Sequence, residues 1–481
     1  MTKLRLPNRI RSIFVAALLI PMANQAQDGQ LTMKDLAGSW SGKLKIQSTQ
    51  LRLDMNISFN GADSLIVTFD SPDQGILDLP TDKVTLTEDS LVVSLKAIGG
   101  EFGGKINKDA NSIAGSWKQG GMAFPLVMER QGKQFTINRP QEPKPPFPYR
   151  SEEVVFTNVE GGFELAGTLT LPEAVGCYPA AILITGSGPQ NRDEELLGHK
   201  PFLVLADYLT RQGFAVLRYD DRGVAQSKGD FKTATSLDFA KDAESALDFL
   251  KKHSEIDTSK IGLIGHSEGG LISSVVASHR KDIAFTVLMA GTGLPGEQIL
   301  LLQSALISRA VGVNEATIKS NEKLSRDIYS ALKKNQDNAK AGQKIRNLMA
   351  DFNKKNAKDT SYHPVSETVI NAQIESLTSP WFRSFLTLNP EKYLSEVSCP
   401  LLAINGSLDL QVPSKENLQA IEKALIFGGN SNYVVEELPG LNHLFQTATT
   451  GSPTEYAKIE ETISPIALDL IGKWLEKNVE K

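Results

Sequence analysis

From about residue 31 to residue 132 the chain alternates. Lys43-Leu44-Lys45-Ile46, Leu51-Arg52-Leu53-Asp54-Met55-Asn56-Ile57, Ser64 to Phe69, Ser90 to Leu95 and Phe124 to Met128 set apolar side chains at every second position, with Gly, Asn and Asp between the runs. A period of two marks strands with one buried face, and the residues between them are turn formers. The pattern predicts a small all-β domain, a barrel or a sandwich, over residues 31–135. Gly38-Ser39-Trp40-Ser41-Gly42 echoes Gly115-Ser116-Trp117-Lys118-Gln119-Gly120. This echo predicts matching tryptophans on the first and last strands, serving as core plugs.

The pattern then breaks. Residues 139–149 carry five prolines, a density that forbids helix and sheet interior and favours extended geometry. A semi-rigid linker is expected over 136–150. Beyond it, over 151–481, strands and helices alternate. Glu153 to Thr157 and Phe163 to Leu171 read as a leading antiparallel pair. Ala180 to Thr185, Phe214 to Tyr219, Ile261 to Ile264, Phe285 to Met289, Leu401 to Asn405 and Tyr433 to Glu436 are short apolar runs separated by amphipathic segments. Ile459 to Lys477 reads as a closing helix. Repeated β-α units imply a mostly parallel sheet covered on both faces, with ligands bound beyond the carboxyl ends of its strands. Between about 293 and 394 the rhythm stops and helix formers dominate. A stretch of this length is no loop; it predicts a helical cap over the site.

Composition adds little to this picture except at the N-terminus. The net charge of -5 and the absence of a basic stripe argue against nucleic acid as a partner. Lys3, Arg5, Arg9 and Arg11 precede the apolar run Ile13 to Ile20, and Ala23-Asn24-Gln25-Ala26 follows. That order reads as an export signal over residues 1–26, cleaved after Ala26, and the run is too short to span a bilayer. A periplasmic or secreted protein is expected, with no membrane attachment after cleavage. Cys177 and Cys399 fall before strands that are not neighbours in the expected sheet, so no disulfide is expected.

The chemistry sits at Gly265-His266-Ser267-Glu268-Gly269, between the run Ile261 to Ile264 and a helical stretch. Strand, sharp turn and helix is the setting in which G-x-S-x-G presents a nucleophilic serine. A hydroxyl needs a neighbouring base. Along the chain the order serine, carboxylate, histidine is completed by Asp409, just past a strand end, and His443, in the loop after the next strand. His443 is the candidate base and Asp409 the residue that orients it. Backbone N–H groups are needed for a developing oxyanion. Glu268 is one candidate donor, and Ser187 or Gly188, in the turn Gly186-Ser187-Gly188-Pro189-Gln190, is the other. The charged stretches Gln190 to Glu195 and Arg218 to Gly223 read as ion pairs holding loops together, with an active-site electrostatic role as the alternative. No metal, nucleotide or other cofactor motif occurs.

Thr185 to Gln190, Tyr219 to Gly223, the elbow, Ser379-Pro380-Trp381-Phe382 and Asn405 to Pro413 together resemble bacterial α/β-hydrolase-fold esterases, the EstD-like group and exported serine peptidase-like proteins related to it. The resemblance covers about residues 150–481. It implies an α/β-hydrolase fold with a helical cap insertion, preceded by the small all-β domain. It also implies ester hydrolysis through a Ser267, Asp409 and His443 triad on a small-molecule ester. Trp381 and Phe382 are candidates for an acyl pocket or for plain core. Amide hydrolysis by the same triad, or a glycan- or partner-binding protein with a vestigial hydrolase domain, are the alternative readings. Oligomeric state and physiological substrate are not legible.

Overall fold

A computed structural model describes residues 36–479, apart from 47–48, 61–63, 75, 88, 108–110, 132–137 and 358–363. The segment read as an export signal lies outside the described residues. The first domain consists of β1 (Gly38–Ile46), β2 (Thr49–Asn60), β3 (Ser64–Ser71), β4 (Ile76–Pro80), β5 (Lys83–Thr87), β6 (Ser90–Leu95), β7 (Gly100–Ile106), β8 (Ser112–Gln119) and β9 (Met122–Gln131). They form one nine-stranded sheet in the order β4-β3-β2-β1-β9-β8-β7-β6-β5, and every pairing is antiparallel. Its edge strands β4 and β5 are consecutive in sequence, joined by Thr81 and Asp82 alone. Laid flat, nine strands would part those edges by about 38 Å, whereas the connection reaches only about 11 Å. The sheet therefore curls into a half-barrel that leaves a seam without a ladder, and it is not a sandwich. Trp40 and Trp117 are both buried. Trp117 packs against Phe69 at 5.6 Å, but it lies on β8, the penultimate strand rather than the last.

The proline-rich segment is not a free spacer. The Arg139 guanidinium donates to the carbonyls of Leu197, Gly198, Ala457 and Ile459 at 2.8–3.1 Å. Gln141 donates to the Ile463 carbonyl and accepts from the Thr462 and Ile463 N–H groups. Two polar side chains thus stitch the segment to the second domain.

That domain has an eight-stranded sheet of β10 (Tyr149–Asn158), β11 (Phe163–Pro172), β12 (Tyr178–Ile184), β13 (Ala215–Tyr219), β14 (Ile256–His266), β15 (Thr286–Met289), β16 (Leu401–Gly406) and β17 (Tyr433–Leu438). The order is β10-β11-β13-β12-β14-β15-β16-β17. Only the β10–β11 and β11–β13 pairings are antiparallel. This is the arrangement of the α/β-hydrolase fold. The central strands carry unbroken apolar runs, over 180–184, 261–264 and 287–289, because both faces are covered there. On one face α2 (Ser236–Leu250), α3 (Glu268–His279) and α10 (Ser414–Phe427) bury Leu169, Ile182, Leu263 and Leu288. On the other, α1 (Pro201–Arg211) and α11 (Pro465–Val479) bury Leu183, Ile264, Val287 and Ile404. Helix α11 begins at Pro465, not at Ile459. A proline has no N–H to give a helix interior but fits the first turn, and the carbonyls of Ile459 and Ile463 are engaged by Arg139 and Gln141. Cys177 and Cys399 are free thiols.

Between β15 and β16 the chain forms α4 (Gly296–Ala310), α5 (Glu315–Lys334), α6 (Asn338–Asn356), α7 (Glu367–Leu377), α8 (Pro380–Thr387) and α9 (Glu391–Leu394). The starts of α5, α6, α7 and α8 are fixed by side-chain caps from Asn314, Asp337, Ser366 and Ser379. These helices have an apolar core of their own, including Leu301, Tyr329, Leu332, Ile345, Ile370 and Leu386. Among the described residues, no helix is long and apolar enough to cross a membrane.

Candidate active site

Strand β14 runs into Ser267, and α3 starts at the next residue. Ser267 has φ 54° and ψ −117°, a backbone region that residues with a Cβ rarely adopt. The turn survives because its neighbours have no side chains to clash. A Cβ on Gly265 would fall 2.0 Å from the Gly269 carbonyl oxygen, and one on Gly269 would fall 2.0 Å from the Ile184 carbonyl oxygen. The Ser267 N–H donates to the Met289 carbonyl at 2.8 Å, tying the turn to β15. Among the described residues its Oγ has no hydrogen-bond partner and is free to be aimed at a base.

Asp409 lies in the turn after β16 and is buried. Its Oδ1 accepts from the N–H groups of Gln411 and Val412, both at 2.8 Å. Its Oδ2 accepts from His443 Nδ1 at 2.7 Å. The backbone bonds fix the carboxylate before it meets the imidazole. His443 lies in the loop after β17. Asn442 holds that loop by accepting from the N–H groups of Leu444 and Gln446, both at 3.0 Å. The two loops approach so closely that a Cβ on Gly406 would come 2.2 Å from the Leu441 carbonyl oxygen. The His443 ring lies 4.8 Å from that of His266, centroid to centroid. Asp409 thus touches His443, and His443 touches the residue before Ser267, all at the carboxyl ends of β14, β16 and β17.

Glu268 opens α3, so its N–H has no acceptor within the helix. The Thr185–Gln190 turn lies against the serine: a Cβ on Gly186 would be 3.3 Å from Ser267 Cβ. The Gly186 N–H is already bound to Glu194 Oε1 at 2.7 Å. The N–H groups of Ser187 and of Gly188, at φ +99°, have no acceptor among the described residues. Asp221 grips the turn at both ends, accepting from Thr185 Oγ1 at 2.8 Å and from the Gln190 N–H at 2.9 Å. Burial pushes the Asp221 carboxyl up to about 8. The charged stretches form an ion-pair network: Arg192 with Asp220 and Glu153, Arg218 with Asp193, and Arg222 with Asp242.

Trp381 and Phe382 part company. Trp381 stacks on Phe385 at 5.2 Å, and its Nε1 donates to Glu268 Oε1 and Oε2 at 2.9 and 3.0 Å. Ser236 Oγ donates to the same carboxyl at 2.6 Å. Burial raises the Glu268 carboxyl above the usual range despite these bonds. Phe382 lies in the apolar core of the inserted helices, 5.9 Å from Tyr329.

Two residues at the site were not singled out one by one from the sequence, although Glu194 lies in the charged stretch Gln190 to Glu195. Glu194 is buried and accepts from His266 Nδ1 at 2.9 Å as well as from Gly186. Tyr456, in a short 3-10 turn, accepts from Gln411 Nε2 at 3.3 Å beside the Asp409 loop. Neither is marked individually, since the contacts to His266 and to Gln411 that place them at the site span 72 and 45 positions. Among the described residues no cluster of side chains could hold a metal ion.

Residues 200–353 match the Hydrolase_4 family, described as "Serine aminopeptidase, S33". The chain is similar to Esterase EstD of Thermotoga maritima, 25% identical over 367 residues, which is 75% of this chain and 77% of that protein. It is also similar to the uncharacterized protein YfhR of Escherichia coli K12, 28% identical over 170 residues. That stretch is 33% of this chain and 57% of YfhR. Among solved structures, the α/β hydrolase GrgF from a Penicillium species aligns with a TM-score of 0.43 at 16% identity, covering 69% of this chain and 100% of its own.

Proposed function

We propose that this chain, an α/β-hydrolase-fold relative of the serine hydrolases, cleaves small carboxylic esters through an acyl-enzyme on Ser267. The observation that carries the reading is the 2.7 Å Asp409–His443 hydrogen bond beside a strained serine elbow. Asp409 holds the proton on His443 Nδ1, which leaves Nε2 basic. Nε2 takes the Ser267 Oγ proton as the oxygen attacks the ester carbonyl, and the imidazolium returns a proton to the departing alcohol. The tetrahedral oxyanion is met by the Glu268 N–H and by that of Ser187 or Gly188, and each such donor contributes about 10²–10³ in rate. Water then repeats the cycle on the acyl-enzyme. The similarity to Esterase EstD supports the ester as substrate. Residues 1–26, with their basic start and short apolar run, support export to the periplasm or the medium.

The family description favours one second reading, hydrolysis of an aminoacyl amide by the same residues. The test is Ser267→Ala in the mature chain, assayed on a short-chain acyl ester and on an aminoacyl amide. Ester turnover in the parent that falls to background in the variant is expected. Turnover that survives in folded Ser267→Ala would overturn the reading, and turnover of the amide alone would transfer it to peptidase.

A further inference from the structure

His266 occupies the variable position of the elbow and takes no part in the chemistry just described. Its ring is buried, and both of its nitrogens are engaged. Nε2 lies 2.9 Å from the His443 carbonyl oxygen, and Nδ1 lies 2.9 Å from Glu194 Oε1. A carbonyl oxygen only accepts, so Nε2 carries a proton. Glu194 Oε1 also accepts from the Gly186 N–H at 2.7 Å, so it already acts as an acceptor, and the bond to Nδ1 is satisfied when that nitrogen carries a proton too. The second carboxyl oxygen, Glu194 Oε2, is buried with no partner among the described residues, which leaves the imidazole as the group in contact able to balance the carboxylate. We propose that His266 is a positioning residue, a doubly donating imidazolium paired with Glu194 that ties the elbow, the oxyanion turn and the His443 loop together.

This inference rests on the catalytic reading above and deepens it. Three parts of the site arrive from separate places in the sequence, at Gly186, Ser267 and His443, and this one pair contacts all three. Loss of a single proton from the ring would break either the bond to Glu194 or the bond to His443. The ionisable groups around the ring are Glu194 and Asp409, both favouring its charge, and His443. Burial opposes that charge. The Glu194 carboxylate and the two ring hydrogen bonds outweigh it, and together they hold the imidazole above the usual histidine range.

Two measurements test it. The first is NMR of the full mature chain labelled with ¹⁵N-histidine, recorded on Ser267→Ala at about pH 8, well above the ordinary histidine pKa of about 6.5. Two ring N–H protons on His266 are expected, and one would overturn the proposal. The second is Glu194→Gln, which keeps an acceptor for Gly186 and for the ring but removes the charge. The ratio of kcat/KM at about pH 8 to that at about pH 6 is expected to fall at least about fivefold relative to the parent, because the ring now titrates at or below its ordinary range. An unchanged ratio in the folded variant would overturn the proposal. The NMR result stands without turnover, so it can fail or succeed independently of the esterase reading.

Discussion

Gly269 has almost no freedom: its Cα faces the Ile184 carbonyl oxygen at a distance that leaves no room for a methyl group. Gly269→Ala should push the elbow off β12, lower stability by about 3 kcal/mol and abolish turnover. Gly103→Ala, whose new Cβ would meet only Val92 at 3.8 Å, should leave the urea midpoint unchanged. Equal midpoints for both variants would contradict the packing. Asp409→Asn should behave differently again. It keeps an acceptor for Gln411 and Val412 but turns an amide N–H₂ toward His443 Nδ1, which favours the wrong tautomer. A loss on the order of 10⁴ in kcat with little change in midpoint is expected. Ser267, Asp409 and His443 stand out as candidates because serine, carboxylate and histidine in that order, each just past a strand, is a pattern in sequence. Glu194 does not, because its two partners are 8 and 72 positions away.

Helices carried the clearest sequence signal. Helix α5 falls inside the stretch of helix formers between about 293 and 394, since its apolar stripe and its Asn314 cap are both local. The start of α11 was missed because the residues before Pro465 are drawn out of the helix by Arg139 and Gln141, which contact them over more than 300 positions. Between elements, the link of greatest consequence is α8 to α3 through Trp381 and Glu268. Trp381→Phe keeps the stack on Phe385 and removes the donor. Amide exchange should quicken in Pro380–Thr387 and in the first turn of α3, with at most about 1.5 kcal/mol lost overall. Unchanged exchange in both segments would show that the tether does not hold the inserted helices to the elbow.

Across the whole molecule, His199 joins distant parts of the hydrolase domain. Its Nδ1 lies 3.0 Å from Thr462 Oγ1, and its Nε2 lies 3.0 Å from the Tyr456 carbonyl oxygen. Burial, with the Arg139 charge added, lowers its pKa from 6.5 to about 4. The folded chain keeps the ring neutral where the unfolded chain would protonate it. Its contribution is therefore complete above pH 6.5 and is lost as pH falls from there toward about 4. His199→Gln should flatten the fall in urea midpoint across that window relative to the parent. An equally steep fall would assign the acid sensitivity to other groups.

The two-residue join between β4 and β5 has a consequence for how the first domain can come apart. The half-barrel is two meanders, β1 to β4 and β5 to β9, registered to each other at Ser39–Gln131, Trp40–Arg130 and Ser41–Glu129. A protease nick between Thr81 and Asp82 would spare every rung of both meanders. It would leave their union to that short zip and the apolar filling between them, like a hoop cut opposite its clasp.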